Sequence, residues 1–406
     1  MIFPPRTRNC GRWNLNSPVS DWPVPSAEML ALQATLVERI RARMAERGGA
    51  LPFLEFMELA LYSPGLGYYS NGLRKFGADG DFITAPELTS LFGRSLASFA
   101  EAVLRAVPDG DVLEFGAGSG ALAIDLLREL ELREILPRHY CILERSAALR
   151  QCQREAITAS LPHLLERVRW LDQLPGSFNG LMLANEVLDA APVRRFQWTG
   201  SGVREYWVEW QGDGFAWSPR DADDERLVQV VTDLAPVHGW SPGYVSEWDP
   251  ALAAWVGSVA DSLAQGAVLL IDYGSPRSER YHAQRVSGSL MCHYRHRAHG
   301  NPLILPGLQD ITSYVDFTTV AEAGTAAGLA LEGFSTQAHF LLDCGLDQLL
   351  MALEPDGSPR YLAQVQKAKQ LLMPGEMGER FKCMALRRGI DGGLPGFRQQ
   401  DLRGRL

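Results

Sequence analysis

The sequence predicts an α/β protein with a mostly parallel sheet and helices on both of its faces. Three observations predict it. Short apolar runs alternate with helix-periodic stretches between residues 111 and 271. A glycine-rich turn joins the first run to the first of those helices. Acidic or amide residues stand where four of the runs end. Strands alternating with helices imply crossover connections and parallel pairing.

The elements follow in order. Met29, Leu32, Leu36, Ile40 and Met44 recur at helical spacing and predict a helix over 28–47. A second helix, Phe53 to Leu61, stops at the turn signal Ser63-Pro64-Gly65. Residues 62–95 are rich in Gly, Asp and aromatics and read as ordered loop, with a helix starting near Pro86 and Thr84 as its cap. Then come strand Asp111–Phe115, helix Ala121–Leu132, strand Tyr140–Leu143, helix Ala147–Ile157, and strands Val168–Leu171 and Gly180–Ala184. Helix Leu252–Leu263 feeds a strand over Ala267–Ile271. Between them, Arg204–Trp210 and Gly214–Ser218 alternate like a β-hairpin or meander, a β-rich insertion on the surface. Residues 275–315 form a long Gly/Pro/His-rich region, and loops that long are usually functional.

The chain's 406 residues suit two compact units or one domain with large insertions. We expect a flexible leader over 1–27, an N-terminal helical and lid region over 28–105, the core over 106–192 and 245–390, the β insertion over 193–244, and a flexible tail over 391–406. A net charge of −9 offers no basic face, so a nucleic-acid partner is not expected. Six cysteines lack any CxxC pair, which argues against a zinc ribbon or disulfide framework, and no metal is expected. No apolar run reaches the roughly 18 residues of a transmembrane helix. Residues 1–25 hold three arginines, one acid and five prolines. That composition faintly resembles an organellar presequence, while the prolines argue against its helix.

Glu114-Phe-Gly116-Ala117-Gly118-Ser-Gly120 follows a strand and opens a helix. Its glycines let the backbone turn sharply and approach a ligand. The pattern is GxGxG rather than the dinucleotide GxGxxG. Glu144 ends the second strand, where a carboxylate can accept both hydroxyls of a ribose; a solvated strand-end charge is the plainer alternative. Asp172 ends the third strand and either bonds an adenine amino group or caps the next segment. No phosphate-binding lysine or P-loop is present, which fits S-adenosylmethionine better than ATP or NAD.

Four motifs together carry a resemblance. Gly80-Asp-Phe-Ile-Thr-Ala-Pro-Glu87, Glu114–Gly120, Asn185-Glu-Val-Leu-Asp-Ala-Ala-Pro192 and Pro306-Gly-Leu-Gln-Asp-Ile-Thr-Ser-Tyr-Val-Asp-Phe317 resemble the MidA family over about residues 30–388, and Met377–Lys382 also fits. The family includes a mitochondrial complex I assembly factor with protein arginine methyltransferase activity. The resemblance implies a class I (Rossmann-like) methyltransferase sheet with S-adenosyl-L-methionine as cofactor. It also implies a protein substrate, with an arginine of a complex I-type subunit as the target in mitochondrial members. A bacterial chain would work in the cytoplasm and a eukaryotic one in the mitochondrial matrix.

Glu186 and Asp189 follow the fourth strand, where class I methyltransferases place acceptor residues. We expect Glu186 to hold the substrate nitrogen with Asp189 assisting, the two sharing a face if the segment is one helical turn. An acid pair offsetting a helix dipole is the alternative. Asn185 is expected beside the cofactor, and Asp81, Thr84, Pro86 and Glu87 in a lid over its methionine end. Among His282, His293, His296 and His299, the candidate base or substrate contact is His299. An NAD-type oxidoreductase, a non-catalytic assembly factor and a small-molecule methyltransferase stay open as other functions. Oligomeric state is not legible.

Overall fold

The computed structural model describes residues 22–73, 84–353 and 358–406. Asp81 and the rest of the lid segment up to residue 83 lie outside the described residues, as do Cys10 and the leader up to residue 21.

The chain begins with α1 (Ala27–Glu46), β1 (Ala50–Pro52), α2 (Phe53–Tyr62), α3 (Ala85–Leu88) and α4 (Leu91–Ala106). It continues with β2 (Asp111–Phe115), α5 (Ala121–Leu132), β3 (Tyr140–Leu143), α6 (Ala147–Ser160), β4 (Val168–Leu171) and β5 (Phe178–Asn185). Next come β6 (Arg194–Trp198), β7 (Val203–Gln211), β8 (Gly214–Asp221), α7 (Glu225–His238), β9 (Val245–Trp248), α8 (Leu252–Ser262) and β10 (Leu263–Ser275). Then follow α9 (Arg277–Arg280), β11 (Met291–Tyr294), β12 (Arg297–His299), β13 (Asp310–Thr312), β14 (Val315–Asp316) and α10 (Phe317–Ala326). The chain closes with β15 (Ala330–Thr336), α11 (Gln337–Asp343), α12 (Leu346–Met351), α13 (Pro359–Leu372) and β16 (Phe381–Arg388).

The main sheet runs β15-β16-β10-β5-β2-β3-β4, with β14 pairing beside β10. The strands β10, β5, β2, β3 and β4 are mutually parallel, and β16 is antiparallel to both neighbours. Alternate residues of each strand face opposite sides. Val112, Leu181, Leu183, Leu269 and Ile271 pack with α4 and α5 on one side. Leu113, Phe115, Met182, Val268 and Leu270 pack with α8 and α10 on the other. Both faces being covered explains why the strands read as continuous apolar runs.

Two glycines let these central strands sit close. Gly180 and Gly266, paired in register, have φ of 131° and 134°. A Cβ on Gly266 would overlap the Gly180 carbonyl oxygen, and one on Gly180 would overlap that of Asp111. Neither clash can be relieved without moving a strand. Gly266→Ala should therefore cost about 3 kcal/mol or more; an unchanged thermal midpoint would contradict this.

The insertion is larger than expected. Its antiparallel sheet, β1-β7-β6-β9 with β8 also paired to β7, recruits β1 from the N-terminal region and extends to Trp248. The aromatic rings of Phe53 and Phe56 meet Trp217 and Phe215 across this joint, at 5.0 and 5.1 Å. The expected tail is also corrected. Leu394 and Phe397 are buried, and Asp343 accepts from the Gly396 and Arg398 amides. Residues 391–406 thus seal the β15 side of the core rather than hanging free. No described helix is long and apolar enough to cross a membrane.

Candidate active site

From β2 the chain winds outward to β3 and β4; from β5 it winds the other way to β10 and β16. Loops leaving β2 and β5 therefore diverge, and a crevice opens above their carboxyl ends. A cavity of about 410 Å³ lies there, within the usual range for small-molecule sites. Its walls come from the Thr84–Glu87 segment, the β2, β3 and β5 ends, α2 and the loop after it, and strands β11 and β13 of the small sheet.

One half is glycine-rich. Gly116, Gly118 and Gly120 have φ of 62°, 53° and 87°, left-handed conformations that suit glycine. Gly120 caps α5. Glu114, Gly116, Ala117 and Gly118 line the cavity, while Gly120 shapes the turn behind it. Glu114 is buried and accepts from the Tyr140 hydroxyl at 2.6 Å; burial pushes its carboxyl up to about 7. Glu144 also lines the cavity, and its two oxygens accept from the Ser146 amide at 2.9 Å and the Gln153 side chain at 3.2 Å. Burial raises its pKa.

Gln153 is a residue that sequence reasoning missed. Fully buried, its amide nitrogen donates to Glu144 and to the Gly118 carbonyl at 3.0 Å, while its oxygen accepts from Trp170 at 3.0 Å. It locks the glycine turn to the strand-end carboxylate. Its position on the inward face of α6 was the only signal. Gln153→Leu should weaken S-adenosyl-homocysteine binding about tenfold, one charged hydrogen bond's worth; calorimetry reads it, and an unchanged affinity would refute the locking role.

The other half is acidic and aromatic. Glu186, Asp189 and Asp310 line it with Tyr62, Tyr69 and His293. Glu186 is half-buried and accepts from the Ala85 amide at 3.4 Å and from Asn185 at 3.3 Å. That first contact ties the segment after Thr84 to this acidic half, and Thr84, Pro86 and Glu87 all line the cavity. Glu87 accepts from the Ser119 hydroxyl of the glycine turn. Burial and the nearby Asp272 push Glu186 up to about 8. Asp189 is raised well above its ordinary range by burial and by Asp272, Asp310 and Glu186. Tyr69 donates to Asp310 at 2.8 Å and stacks on Tyr62, whose hydroxyl donates to the Ala190 carbonyl at 3.0 Å. Asn185 lines the cavity between the two halves, its side-chain oxygen buried with no hydrogen-bond partner.

Three expectations need correction. Asp172 does not reach the cavity. Its side chain is 89% exposed and is held by Arg150 at 2.7 Å, away from the cavity lining. His299 also points elsewhere. Cys292 and His299 are cross-strand partners and share a face, whereas His293 pairs with Asp310 on the opposite face. His299 is therefore buried under Trp22, with ring centroids 4.4 Å apart, and His293 lines the cavity instead. Burial lowers both imidazoles to about 4, so each is neutral. Lastly, Glu186–Asp189 is not a helical turn. Glu186 has φ of 54°, and both carboxylates face the cavity from an irregular turn.

Comparison with known proteins adds independent observations. A family model described as S-adenosyl-L-methionine-dependent methyltransferase matches residues 91–335. A crystal structure of a Burkholderia thailandensis protein bound to S-adenosyl-homocysteine superposes with a TM-score of 0.91. It is 43% identical, covering 95% of this chain and all of that one. The mitochondrial protein arginine methyltransferase NDUFAF7 of Danio rerio is 26% identical over 90% of each chain. Its Drosophila melanogaster homolog is 27% identical, over 92% of this chain and 89% of that one.

Proposed function

We propose that this chain, which belongs to the S-adenosyl-L-methionine-dependent methyltransferase family, methylates an arginine of a protein substrate. The observation that carries the proposal is the acceptor half of the cavity. Glu186 and Asp189 stand there with no lysine or arginine of the described residues paired to them, beside stacked tyrosines. Carboxylates crowded in this way hold protons until a cation arrives. A guanidinium is always charged, fits carboxylates bidentately and packs on aromatic faces. The relatives named as protein arginine methyltransferases support the same reading.

The cofactor's chemistry fits the glycine-rich half. Glu144 would accept the ribose hydroxyls, the Gly116–Gly118 backbone would allow close approach, and Thr84 and Pro86 would cover the methionine end. The bound cofactor would supply an electrophilic methyl on a sulfonium, the S–C bond breaking with its electron pair returning to sulfur to leave neutral S-adenosyl-homocysteine. Glu186 would hold the guanidinium so that one nitrogen faces that methyl, and would take the proton which that nitrogen loses as the new N–C bond forms. Asp189 would share the remaining positive charge.

The decisive experiment compares arginine methylation by mass spectrometry in cells with and without the gene, starting with complex I-type subunits. A methylarginine site lost with the gene and restored by purified protein and S-adenosylmethionine supports the reading. Methyl label passing only to small molecules would defeat it.

A further inference from the structure

Asp272 lies at the end of β10, beneath the acceptor turn rather than in the cavity wall. Its carboxylate is 1% exposed. One oxygen accepts from three successive amides, Val187 at 3.1 Å, Leu188 at 2.8 Å and Asp189 at 3.3 Å. The other accepts from its own neighbour, the Tyr273 amide, at 2.8 Å. Successive N–H groups that converge after a left-handed residue form an anion-binding nest. Here the left-handed residue is Glu186, a non-glycine at φ 54° whose amide donates to the Ile271 carbonyl at 2.9 Å. Such a backbone is unfavourable for glutamate and persists only where its surroundings determine it.

Glu186 and Asp189, two carboxylates of the acceptor half, flank this nest, one at its start and one at its end. A buried anion beside two other acids is repelled by both, and its four amide hydrogen bonds offset that cost. What it achieves is geometric: it fixes the backbone of three consecutive residues and thereby the directions of Glu186 and Asp189. We propose that Asp272 is the positioning residue of the acceptor site, holding Glu186 and Asp189 toward the substrate nitrogen without touching it. The inference rests on the reading that a guanidinium docks at Glu186.

Asp272→Ala and Asp272→Asn separate the possibilities, each studied as the full chain saturated with S-adenosyl-homocysteine. Amide hydrogen exchange at 187–189 reports the nest, and calorimetry with Nα-acetyl-arginine methylamide reports the acceptor site. In Asp272→Ala, exchange at 187–189 should accelerate at least tenfold and probe affinity should fall at least tenfold. Affinity for S-adenosyl-homocysteine should stay within threefold. Asp272→Asn keeps an acceptor oxygen and should recover most of both losses. Wild-type probe affinity in Asp272→Ala overturns the assignment, whether or not exchange changes. If Asp272→Ala does not fold, Asp272→Asn still carries the test: about threefold losses support the role, and wild-type values for both readouts overturn it. Should the wild-type protein itself fail to bind the probe, the arginine reading fails separately. The Asp272 assignment is then decided by exchange at 187–189 and by whether Glu186 keeps its contact with the Ala85 amide in crystals of Asp272→Ala.

Discussion

Glu186→Gln is expected to lower methyl transfer by about 10³-fold while leaving S-adenosyl-homocysteine affinity within threefold. The amide is nearly isosteric and can still accept from Ala85. It cannot carry the charge that orients a guanidinium, nor accept its proton. The same variant should be more stable than the wild type at alkaline pH. In the fold Glu186 is raised from an ordinary 4.5 to about 8, chiefly by burial and then by Asp272. A carboxylate raised in this way contributes stability that is complete below about 4.5 and is lost as pH climbs through about 8. Glutamine does not titrate. The thermal midpoint of the variant should therefore match wild type near pH 5 and exceed it by about 2 °C at pH 9. Substantial residual transfer would remove Glu186 from the chemistry. A midpoint difference that does not grow with pH would contradict the electrostatic account.

The second large effect is expected at Glu144. Glu144→Ala removes the carboxylate that would meet both ribose hydroxyls, leaves the Ser146 amide without its acceptor and leaves the Gln153 amide nitrogen only the Gly118 carbonyl. Two charge-assisted hydrogen bonds lost together correspond to about 3 kcal/mol, or roughly 100-fold in cofactor affinity. Glu144→Gln keeps one acceptor oxygen and should lose only about tenfold. Titration calorimetry with S-adenosyl-homocysteine measures both. Equal affinity in wild type and Glu144→Ala would mean the ribose lies elsewhere. The two variants also separate the halves of the site: Glu144→Ala should act on binding, Glu186→Gln on transfer.

Much of the fold is legible because its signals are local. The strands Asp111–Phe115, Tyr140–Leu143 and Val168–Leu171 fall at the limits their apolar runs set, each bounded by turn residues. The glycine turn is legible for the same reason, since a left-handed backbone leaves its mark as glycine at the position itself. The irregular turn at Glu186 is not, because its left-handed residue is a glutamate and the group that holds it, Asp272, lies on a different strand far along the chain.

The misassigned histidine shows the limit most clearly. His293 and His299 are alike in sequence context, and composition cannot rank them. Their fates diverge because β11 and β12 pair antiparallel, with Cys292 opposite His299. Side chains alternate along a strand, so a one-residue shift of β12 against β11 would turn His299 to the face that His293 occupies. Asp172 failed differently. Its strand ends at the cavity side of the sheet like its neighbours, yet Arg150, one turn into α6, draws the carboxylate outward.

By itself, then, the sequence determined the layered α/β core, the glycine turn and the strand-end Glu144, because hydrophobic period and backbone chirality are properties of neighbouring residues. Tertiary structure alone decided which distant groups converge. Tyr62, Tyr69, His293 and Asp310 come from separate stretches of chain, and they meet Glu186 and Asp189 only because α2 and the β11–β13 sheet pack over the crevice. The physical reason is that convergence depends on strand register and helix docking, which are fixed by packing across the whole molecule rather than by any stretch of chain.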